Sequence, residues 1–283
     1  MGVGECLPCR GSRNRLTEVE RNQRVGRALC GLPGTVPPAN VGAAGAGLSA
    51  PAGGLTIARM PPPAPAEPFD FPNPELADDD GLLALGVPVL PVHLRAAYAR
   101  GIFPWPVSLR QPVPWVSPGQ RAVLEFDRLN VPKTLRQARQ RASWLFTIDR
   151  AFAAVITACA AARRPGQRGT WITPAMIAGY TAFHREGGAH SVEVWDGERL
   201  VGGLYGIDAG GLFTGESMFH LEPNASKLAL LHLIDHLAGR GATWLDIQQL
   251  TPHFAVLGAR EIPRREFLAR LKAEQAVGRK LFG

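Results

Sequence analysis

Two polar side chains in an otherwise apolar segment are the first candidates for chemistry. Asp246 and Gln248 lie two residues apart in the segment Trp-Leu-Asp-Ile-Gln-Gln, which begins at Trp244. In a β-strand, residues two apart project from the same face, so the spacing predicts that the two side chains lie together. A carboxylate beside an amide can hold an amine nucleophile and polarise a carbonyl group. An ordinary polar strand face is the alternative interpretation.

A third candidate is Glu216, which stands between Gly215 and Ser217 in a hydrophobic region of the chain. Burying a carboxylate without a partner costs several kcal/mol. Glu216 is therefore either paired within the fold or used to bind a ligand, and both interpretations stay open.

Two tryptophans lie in segments that are typical of loops. Trp105 ends the segment Phe-Pro-Trp, and Trp171 ends the segment Gly-Thr-Trp. An indole in such a loop can stack on a nucleic-acid base, which contributes about 1–3 kcal/mol. Packing in the core is the alternative for each ring.

The strongest charge feature is a basic block. Between residues 128 and 168 the chain has nine Lys or Arg residues and one acid, Asp149. Lys133, Arg136 and Arg139 recur at three-residue spacing and would share one face of a helix. Such a face suits a phosphate backbone, whereas a solvated helix face is the alternative.

The composition excludes several classes of protein. The 283 residues are 46% hydrophobic and 19% charged, with a formal net charge of +7, which indicates a packed globular chain. Neither a long apolar run nor a signal-peptide pattern is present, so we expect a cytoplasmic protein that does not enter a membrane. Walker A and His-Glu-x-x-His motifs are missing. The pair His232 and His236 lacks an evident acidic third ligand, so we expect no metal site.

The order of predicted elements indicates an α+β fold. Three alternating segments at 190–195, 200–207 and 212–219 are separated by Gly-containing turns, which predicts an antiparallel meander. A helix capped by Asn224, a strand and a further helix follow. The order βββαβα resembles the core of GCN5-related acyltransferases.

We therefore expect three regions. Residues 124–283 are predicted to form an acyltransferase-like catalytic domain with a mixed, largely antiparallel sheet, and residues 60–123 a small N-terminal domain. Residues 31–59 contain 7 Gly, 7 Ala and 4 Pro without a periodic apolar pattern. Residues 1–59 are therefore predicted to be a disordered extension, with Met60 as the true start.

Eight segments taken together carry a resemblance. They are Gly-Leu-Leu-Ala-Leu-Gly from Gly81, Ala-Tyr-Ala-Arg-Gly-Ile-Phe-Pro-Trp from Ala97, Gly-Thr-Trp-Ile-Thr from Gly169, His-Ser-Val-Glu-Val-Trp from His190, Leu-Val-Gly-Gly-Leu-Tyr-Gly from Leu200, Gly-Glu-Ser-Met-Phe from Gly215, Asn-Ala-Ser-Lys from Asn224 and Ile-Pro-Arg-Arg from Ile262. From about Phe69 to Gly278, the chain closely resembles the leucyl/phenylalanyl-tRNA–protein transferases.

This resemblance implies an activity. It implies a cytoplasmic bacterial aminoacyltransferase that moves Leu or Phe from aminoacyl-tRNA to the N-terminal Arg or Lys of a protein, which marks the product for degradation by the N-end rule pathway. The ester is already activated, so the resemblance implies neither a cofactor nor a metal.

The resemblance also implies roles for individual residues. It assigns Asp246 and Gln248 to catalysis and Glu216 to orienting the substrate. With a tRNA donor, the basic face of Lys133, Arg136 and Arg139 is expected to bind tRNA. Trp105 and Trp171 are expected to hold the terminal adenosine of the donor, and an apolar pocket is expected to hold its amino-acid side chain. The full set of residues expected to bind the donor is Trp105, Trp171, Tyr98, Leu204, Phe213, Met218, Leu230 and Leu233. Relatives often carry Met and Phe where this chain has Leu204 and Leu233, which leaves the preference between Leu and Phe donors open.

In the implied reaction the acceptor amine must be neutral to attack the ester. We expect Asp246 to accept or orient its proton, directly or through Gln248, while Gln248 steadies the carbonyl oxygen. Two other classes remain open, namely an acetyl-CoA-dependent N-acetyltransferase and a non-catalytic RNA-binding module.

Overall fold

The computed structural model describes residues 67–106, 112–162 and 170–283. The predicted extension over residues 1–59 and the predicted start at Met60 lie outside the described residues, as do three members of the basic block, Arg163, Arg164 and Arg168.

The described N-terminal part, residues 67–106 and 112–116, contains a small antiparallel sheet and one α-helix. The strands are β1 (Leu82–Leu85), β2 (Phe103–Pro104) and β3 (Pro114–Val116), in the order β1, β3, β2. Helix α1 (Pro91–Tyr98) lies between β1 and β2 in the chain. Gly81, just before β1, has a φ of 75°, and a Cβ atom there would lie 2.1 Å from the carbonyl oxygen of Ser117. Only glycine fits this close approach.

A larger sheet of seven strands follows in the described residues. In chain order they are β4 (Gln120–Glu125), β5 (Leu145–Ile148), β6 (Ala189–Asp196), β7 (Arg199–Asp208), β8 (Phe213–His220), β9 (Trp244–Gln248) and β10 (Arg260–Pro263). Their order across the sheet is β10, β4, β9, β8, β7, β6, β5. The pairs are antiparallel except for β8 and β9, which are parallel. The predicted mixed, largely antiparallel sheet is confirmed.

Local turn chemistry explains the meander of β6, β7 and β8. Gly197 in the first turn has a φ of 61°, and Gly210 and Gly211 in the second have φ values of 87° and 102°. The Asp208 carboxylate accepts the backbone N–H groups of both Gly210 and Gly211, at 2.9 and 2.7 Å. These glycines take positive φ at little steric cost, so the turns form where the sequence predicts them.

Helices cover both faces of this sheet. One face carries α3 (Phe152–Ala161), with α4 (Pro174–Arg185) and α1 beside it, and we call it the α3–α4 face. The other carries α5 (Ala225–Gly239), against which α2 (Lys133–Arg141) packs, and we call it the α5 face. Successive residues of β7 divide between the two cores: Tyr205 belongs to the α3–α4 face and Leu204 to the α5 face.

Several details differ from the sequence predictions. Helix α6 (Pro252–Val256) and strand β10 were not predicted, and they stand between β9 and the last helix, α7 (Arg264–Val277). Asn224 precedes α5 but has a left-handed φ of 70°, whereas a side-chain cap needs extended backbone, so the predicted cap is wrong.

The predicted domain boundary between residues 123 and 124 falls inside strand β4, which pairs with both β9 and β10. A strand with ladder partners on both sides cannot be divided, so β4 belongs with the larger sheet. The division into two domains and the resemblance to GCN5-related acyltransferases stay predictions.

Candidate active site

The three predicted catalytic residues meet where β8 and β9 run side by side. Within the described strands, the ladder between them is limited to Thr214 opposite Asp246. Beyond that point side chains bridge the two strands, because Nε2 of Gln248 donates to Oε1 of Glu216 at 2.5 Å. The end of β9 is therefore tied to Glu216 of β8 by this side-chain contact.

A β-bulge lies in β8 at Glu216. Two residues of β8, Glu216 and Ser217, stand opposite the single residue Tyr205 of β7, since the next pair is Gly215 with Gly206. Such a bulge turns a side chain away from the strict alternation of a strand. Glu216 lies on the α3–α4 face, as alternation from Thr214 requires, and the bulge lets Met218 pack with the core of the α5 face.

Two tyrosines hold the Glu216 carboxylate. The hydroxyl of Tyr98 donates to Oε1 at 2.6 Å, and the hydroxyl of Tyr180 donates to Oε2 at 3.1 Å. The two hydroxyl oxygens are 2.8 Å apart. Tyr98 was expected to bind substrate, but its hydroxyl supports Glu216, and Tyr180 was missed. A tyrosine on the buried face of an apolar helix was the available signal, because a buried phenol needs a polar partner.

The surroundings of Glu216 change its acidity. Burial disfavours the charged form and raises the pKa of Glu216 from 4.5 to about 7. Hydrogen bonds from Tyr98 and Tyr180 lower this pKa, the nearby charge of Asp246 raises it, and that of Arg121 lowers it. Burial, and then the charge of Glu216, raise the pKa of both tyrosines well above 10.0. Among the three predicted catalytic residues only Glu216 is partly exposed, so it is the one that solvent reaches.

Asp246 is fully buried and each of its oxygens is engaged twice. Oδ1 accepts from Nε of Arg121 at 2.9 Å and from the backbone N–H of Gln248 at 2.8 Å. Oδ2 accepts from Nη2 of Arg121 at 2.6 Å and from the hydroxyl of Thr214 at 3.1 Å. A carboxylate has about four acceptor positions, and these four contacts occupy them.

Gln248 ends β9 in an unusual conformation. Its φ is 62°, in the left-handed region where a non-glycine residue is strained by about 1–3 kcal/mol unless its surroundings compensate. The hydrogen bond from its backbone N–H to Asp246 supports this conformation. The two residues are therefore neighbours, as the sequence predicts, and their link runs through the backbone of Gln248.

Arg121, at the start of β4, is a second residue that sequence reasoning missed. Its side chain is only 1% exposed and forms an ion pair with Asp246. The signal was a charged residue directly before the apolar run Ala-Val-Leu, because a buried guanidinium needs a carboxylate partner.

The predicted donor-binding residues divide between the two faces. Trp105 and Trp171 are partly exposed and pack on the same core as Tyr98 and Tyr180, on the α3–α4 face. The five predicted pocket residues belong to the core of the α5 face, four of them buried and Met218 partly exposed: Leu204, Phe213, Met218, Leu230 and Leu233. The two predicted groups therefore pack with the cores of opposite faces of the sheet.

The predicted tRNA-binding residues lie together on α2. Lys133, Arg136 and Arg139 are exposed, and the buried Leu135 anchors the helix. Arg139 forms an ion pair with Asp235 of α5, so Lys133 and Arg136 offer the more available charges.

The described ranges contain neither a metal-binding cluster nor a membrane-spanning helix. Those ranges hold no cluster of three or more His, Cys, Asp or Glu residues suited to a metal ion. The ring of His232 stacks on Phe146, and Nε2 of His236 lies 2.8 Å from the carbonyl oxygen of Leu281. None of the described helices has the length and apolar character to cross a bilayer.

Comparison with known proteins decides the family. A family model described as leucyl/phenylalanyl-tRNA protein transferase matches residues 123–272, and the model of its N-terminal domain matches residues 90–119. A leucyl/phenylalanyl-tRNA–protein transferase of Anaeromyxobacter sp. (strain Fw109-5) is 51% identical over 77% of this chain and 90% of its own length. The chain belongs to the leucyl/phenylalanyl-tRNA–protein transferase family.

Other organisms carry similar members of this family. The transferase of Chromohalobacter salexigens is 50% identical over 74% of this chain and 82% of its own length. The transferase of Shewanella denitrificans is 47% identical over 72% of this chain and 85% of its own length. The family that the eight sequence segments resemble is confirmed.

Proposed function

We propose that the chain transfers a leucyl or phenylalanyl group from aminoacyl-tRNA to the α-amino group of a protein that begins with Arg or Lys. The observation that carries this proposal is the carboxyl of Glu216, held by Tyr98, Tyr180 and Gln248 beside the end of β9. The reaction takes place in the cytoplasm, where charged tRNA is available, and it marks the product for degradation.

Glu216 binds the amino group of the donor. It shares the α3–α4 face with Trp105 and Trp171, which stack on the terminal adenosine. An α-amino group has an ordinary pKa of about 8, and Glu216 has one of about 7, so the ionised carboxylate pairs with an ammonium near neutral pH. The tyrosine hydroxyls keep the carboxylate in place for this contact.

Gln248 contacts the acceptor amine. Its Nε2 donates to Glu216, which directs the amide oxygen away from that carboxylate and leaves it available for an N–H of the acceptor. The four filled acceptor positions of Asp246 favour the indirect route, in which Asp246 acts through Gln248. Asp246 is then a positioning residue, and Gln248 orients the nucleophile.

The bonds exchanged require no further reagent. The neutral acceptor nitrogen attacks the ester carbonyl carbon, a C–N bond forms, and the C–O bond to the terminal ribose breaks. The proton lost by the amine ends on the ribose hydroxyl that leaves. The protein orients both reactants, which lowers the barrier by removing the entropic cost of bringing them together.

The tRNA body lies along α2. Lys133, Arg136 and Arg139 contact its phosphates, and such contacts give affinity without reading sequence. The apolar pocket receives the donor side chain and excludes polar ones, because a polar group buried there would lose its hydrogen bonds to water.

A transfer assay tests the proposal. Radiolabelled leucyl-tRNA or phenylalanyl-tRNA is mixed with the protein and a peptide that begins with Arg, and peptide-bound label is measured. Peptides that begin with Lys or Ala, and an N-acetylated Arg peptide, are the matched controls. We expect label on the Arg and Lys peptides alone.

Two results would contradict the proposal. Label transferred from acetyl-CoA, and not from charged tRNA, would identify an acetyltransferase. Retention of charged tRNA without any transfer would identify an RNA-binding module.

A further inference from the structure

Arg121 connects three separate parts of the fold. Its Nε and Nη2 donate to the two oxygens of Asp246 on β9, at 2.9 and 2.6 Å. Its Nη1 donates to the carbonyl oxygen of Gly101, at 3.3 Å, in the loop between α1 and β2. The strand that carries Arg121 thus ties the loop before Trp105 to the end of β9.

Two aromatic rings enclose the guanidinium of Arg121. Its central carbon lies 4.4 Å from the ring centroid of Phe103 and 4.5 Å from that of Phe267 on α7. Hydrogen bonds fix the edge of the guanidinium, and the rings fix its faces through cation–π attraction. The group is therefore held in one position and one plane.

The same group connects both halves of the proposed site. On one side, the ring of Phe103 contacts the ring of Trp105 edge to face, with centroids 5.6 Å apart. On the other side, Oδ1 of Asp246 accepts from both Arg121 and the backbone N–H of Gln248. A continuous series of contacts thus joins the indole of Trp105, which is proposed to stack on the adenosine, to Gln248, whose amide is proposed to bind the acceptor amine.

We infer that Arg121 is a positioning residue for the transfer reaction. It fixes the position of Gln248 relative to the loop that carries Trp105. In this role Arg121 does not contact the substrate. The inference rests on the proposed function. The donor adenosine is proposed to bind at the loop of Trp105, and the acceptor amine at the side-chain amide of Gln248. Donor and acceptor can therefore meet only when this loop and the end of β9 keep a fixed separation. A misplacement of about 1 Å can lower a rate about 100-fold.

Lysine cannot replace Arg121 in this role. A guanidinium offers a planar fork that matches both oxygens of a carboxylate and two flat faces that stack on rings, whereas an ammonium is a point charge. Arg121→Lys therefore keeps the charge beside Asp246 but removes the fork and the stacking. The variant separates alignment from charge.

The experiment compares Arg121→Lys with a matched control, Arg260→Lys. Arg260 also forms a fork on a carboxylate, with two hydrogen bonds of 2.9 Å to Glu125, but it lies at the outer strand of the sheet. Transfer from aminoacyl-adenosine to an Arg peptide is measured below the melting temperature of each variant. We expect Arg121→Lys to lower kcat about 10- to 100-fold with donor KM changed less than about threefold. Arg260→Lys should keep kcat within about twofold.

A merely structural role predicts a different result. Arg121→Lys would then melt at a lower temperature but keep kcat within about twofold below that temperature, and this result would overturn the inference. A rise in donor KM at unchanged kcat would overturn it as well. If Glu216→Gln loses transfer while Arg121→Lys keeps a normal kcat, the proposed function stands and the inference about Arg121 is wrong. If the unsubstituted chain does not transfer, the proposed function and the inference are both wrong.

A second variant covers the case in which Arg121→Lys does not fold. Phe267→Leu keeps the fork on Asp246 and removes one ring from the face of the guanidinium. We expect a smaller loss of kcat, about three- to tenfold, again with donor KM nearly unchanged. Unchanged kcat in this variant would overturn the inference.

Discussion

Replacing Glu216 with Gln removes one titrating carboxyl and keeps a side chain of the same shape. Burial raises the pKa of Glu216 in the folded chain from 4.5 to about 7. Below pH 4.5 the carboxyl holds its proton in both the folded and the unfolded chain. Between pH 4.5 and about 7 the unfolded chain releases this proton while the folded chain keeps it, so the free energy of unfolding falls as the pH rises.

The size of this effect follows from the two pKa values. The difference between 4.5 and about 7 corresponds to about 3 kcal/mol, because each pKa unit is worth about 1.36 kcal/mol. Glu216 is partly exposed, so we take about 3 kcal/mol as an upper limit. Relative to the unsubstituted chain, the free energy of unfolding of Glu216→Gln should increase by up to about 3 kcal/mol as the pH rises from 4.5 to 7. This difference should then stay constant at higher pH.

Urea unfolding over a series of pH values measures this difference directly. Subtracting the two curves removes the titration of all groups that the proteins share. Glu125→Gln is the matched control with the opposite sign, because a hydrogen bond from Arg260 is the largest cause that lowers the pKa of Glu125 to about 2. The contribution of Glu125 is present above pH 4.5 and is lost as the pH falls through 2. Relative to the unsubstituted chain, Glu125→Gln should therefore lose stability as the pH rises from 2 to 4.5.

One result would refute the reasoning about Glu216. If the stability difference between Glu216→Gln and the unsubstituted chain is the same at pH 4.5 and at pH 8, the carboxyl titrates alike in both states. Burial would then not act on this group.

Four further predictions concern activity. Transfer from a minimal donor should rise with pH in two steps, near 7 as Glu216 ionises to hold the donor amine and near 8 as the acceptor amine becomes neutral, and a profile with only the step near 8 would contradict this role. Trp171→Ala should weaken donor binding by about 1–3 kcal/mol with kcat little changed, as measured by donor titration. Reversing Lys133 and Arg136 to Glu should weaken tRNA binding and reduce its salt dependence, while aminoacyl-adenosine reacts normally; equal losses on both donors would count against a tRNA surface. Leu233→Phe should fill the pocket and reduce the use of phenylalanyl relative to leucyl donors about tenfold in competition assays.

Features encoded locally could be predicted from the sequence. The meander of β6, β7 and β8 follows from alternation and from glycine turns, which depend on a few adjacent residues. Asp246 and Gln248 were found as candidates because both are polar in an apolar strand. Such signals need no knowledge of distant contacts.

The support of the site could not be predicted in the same way. Arg121 and Asp246 are 125 residues apart in the chain, and Tyr180 and Glu216 are 36 apart, so their pairing depends on the completed sheet and helices. Strand β10 has only four residues, too few for an alternating pattern to stand out. It forms because β4 offers it an edge.

The two residues of β8 opposite Tyr205 give the strand a property that its composition does not reveal. Upstream of the bulge Phe213 faces the core of the α5 face, and downstream Met218 does so too, although an odd number of positions separates them. The bulge thus absorbs one extra residue, so that Glu216 stays on the face of the tyrosines while Met218 still reaches the apolar core. A regular strand of the same sequence would turn Met218 away from that core, so the packing of this strand depends on the bulge as much as on the identity of its residues.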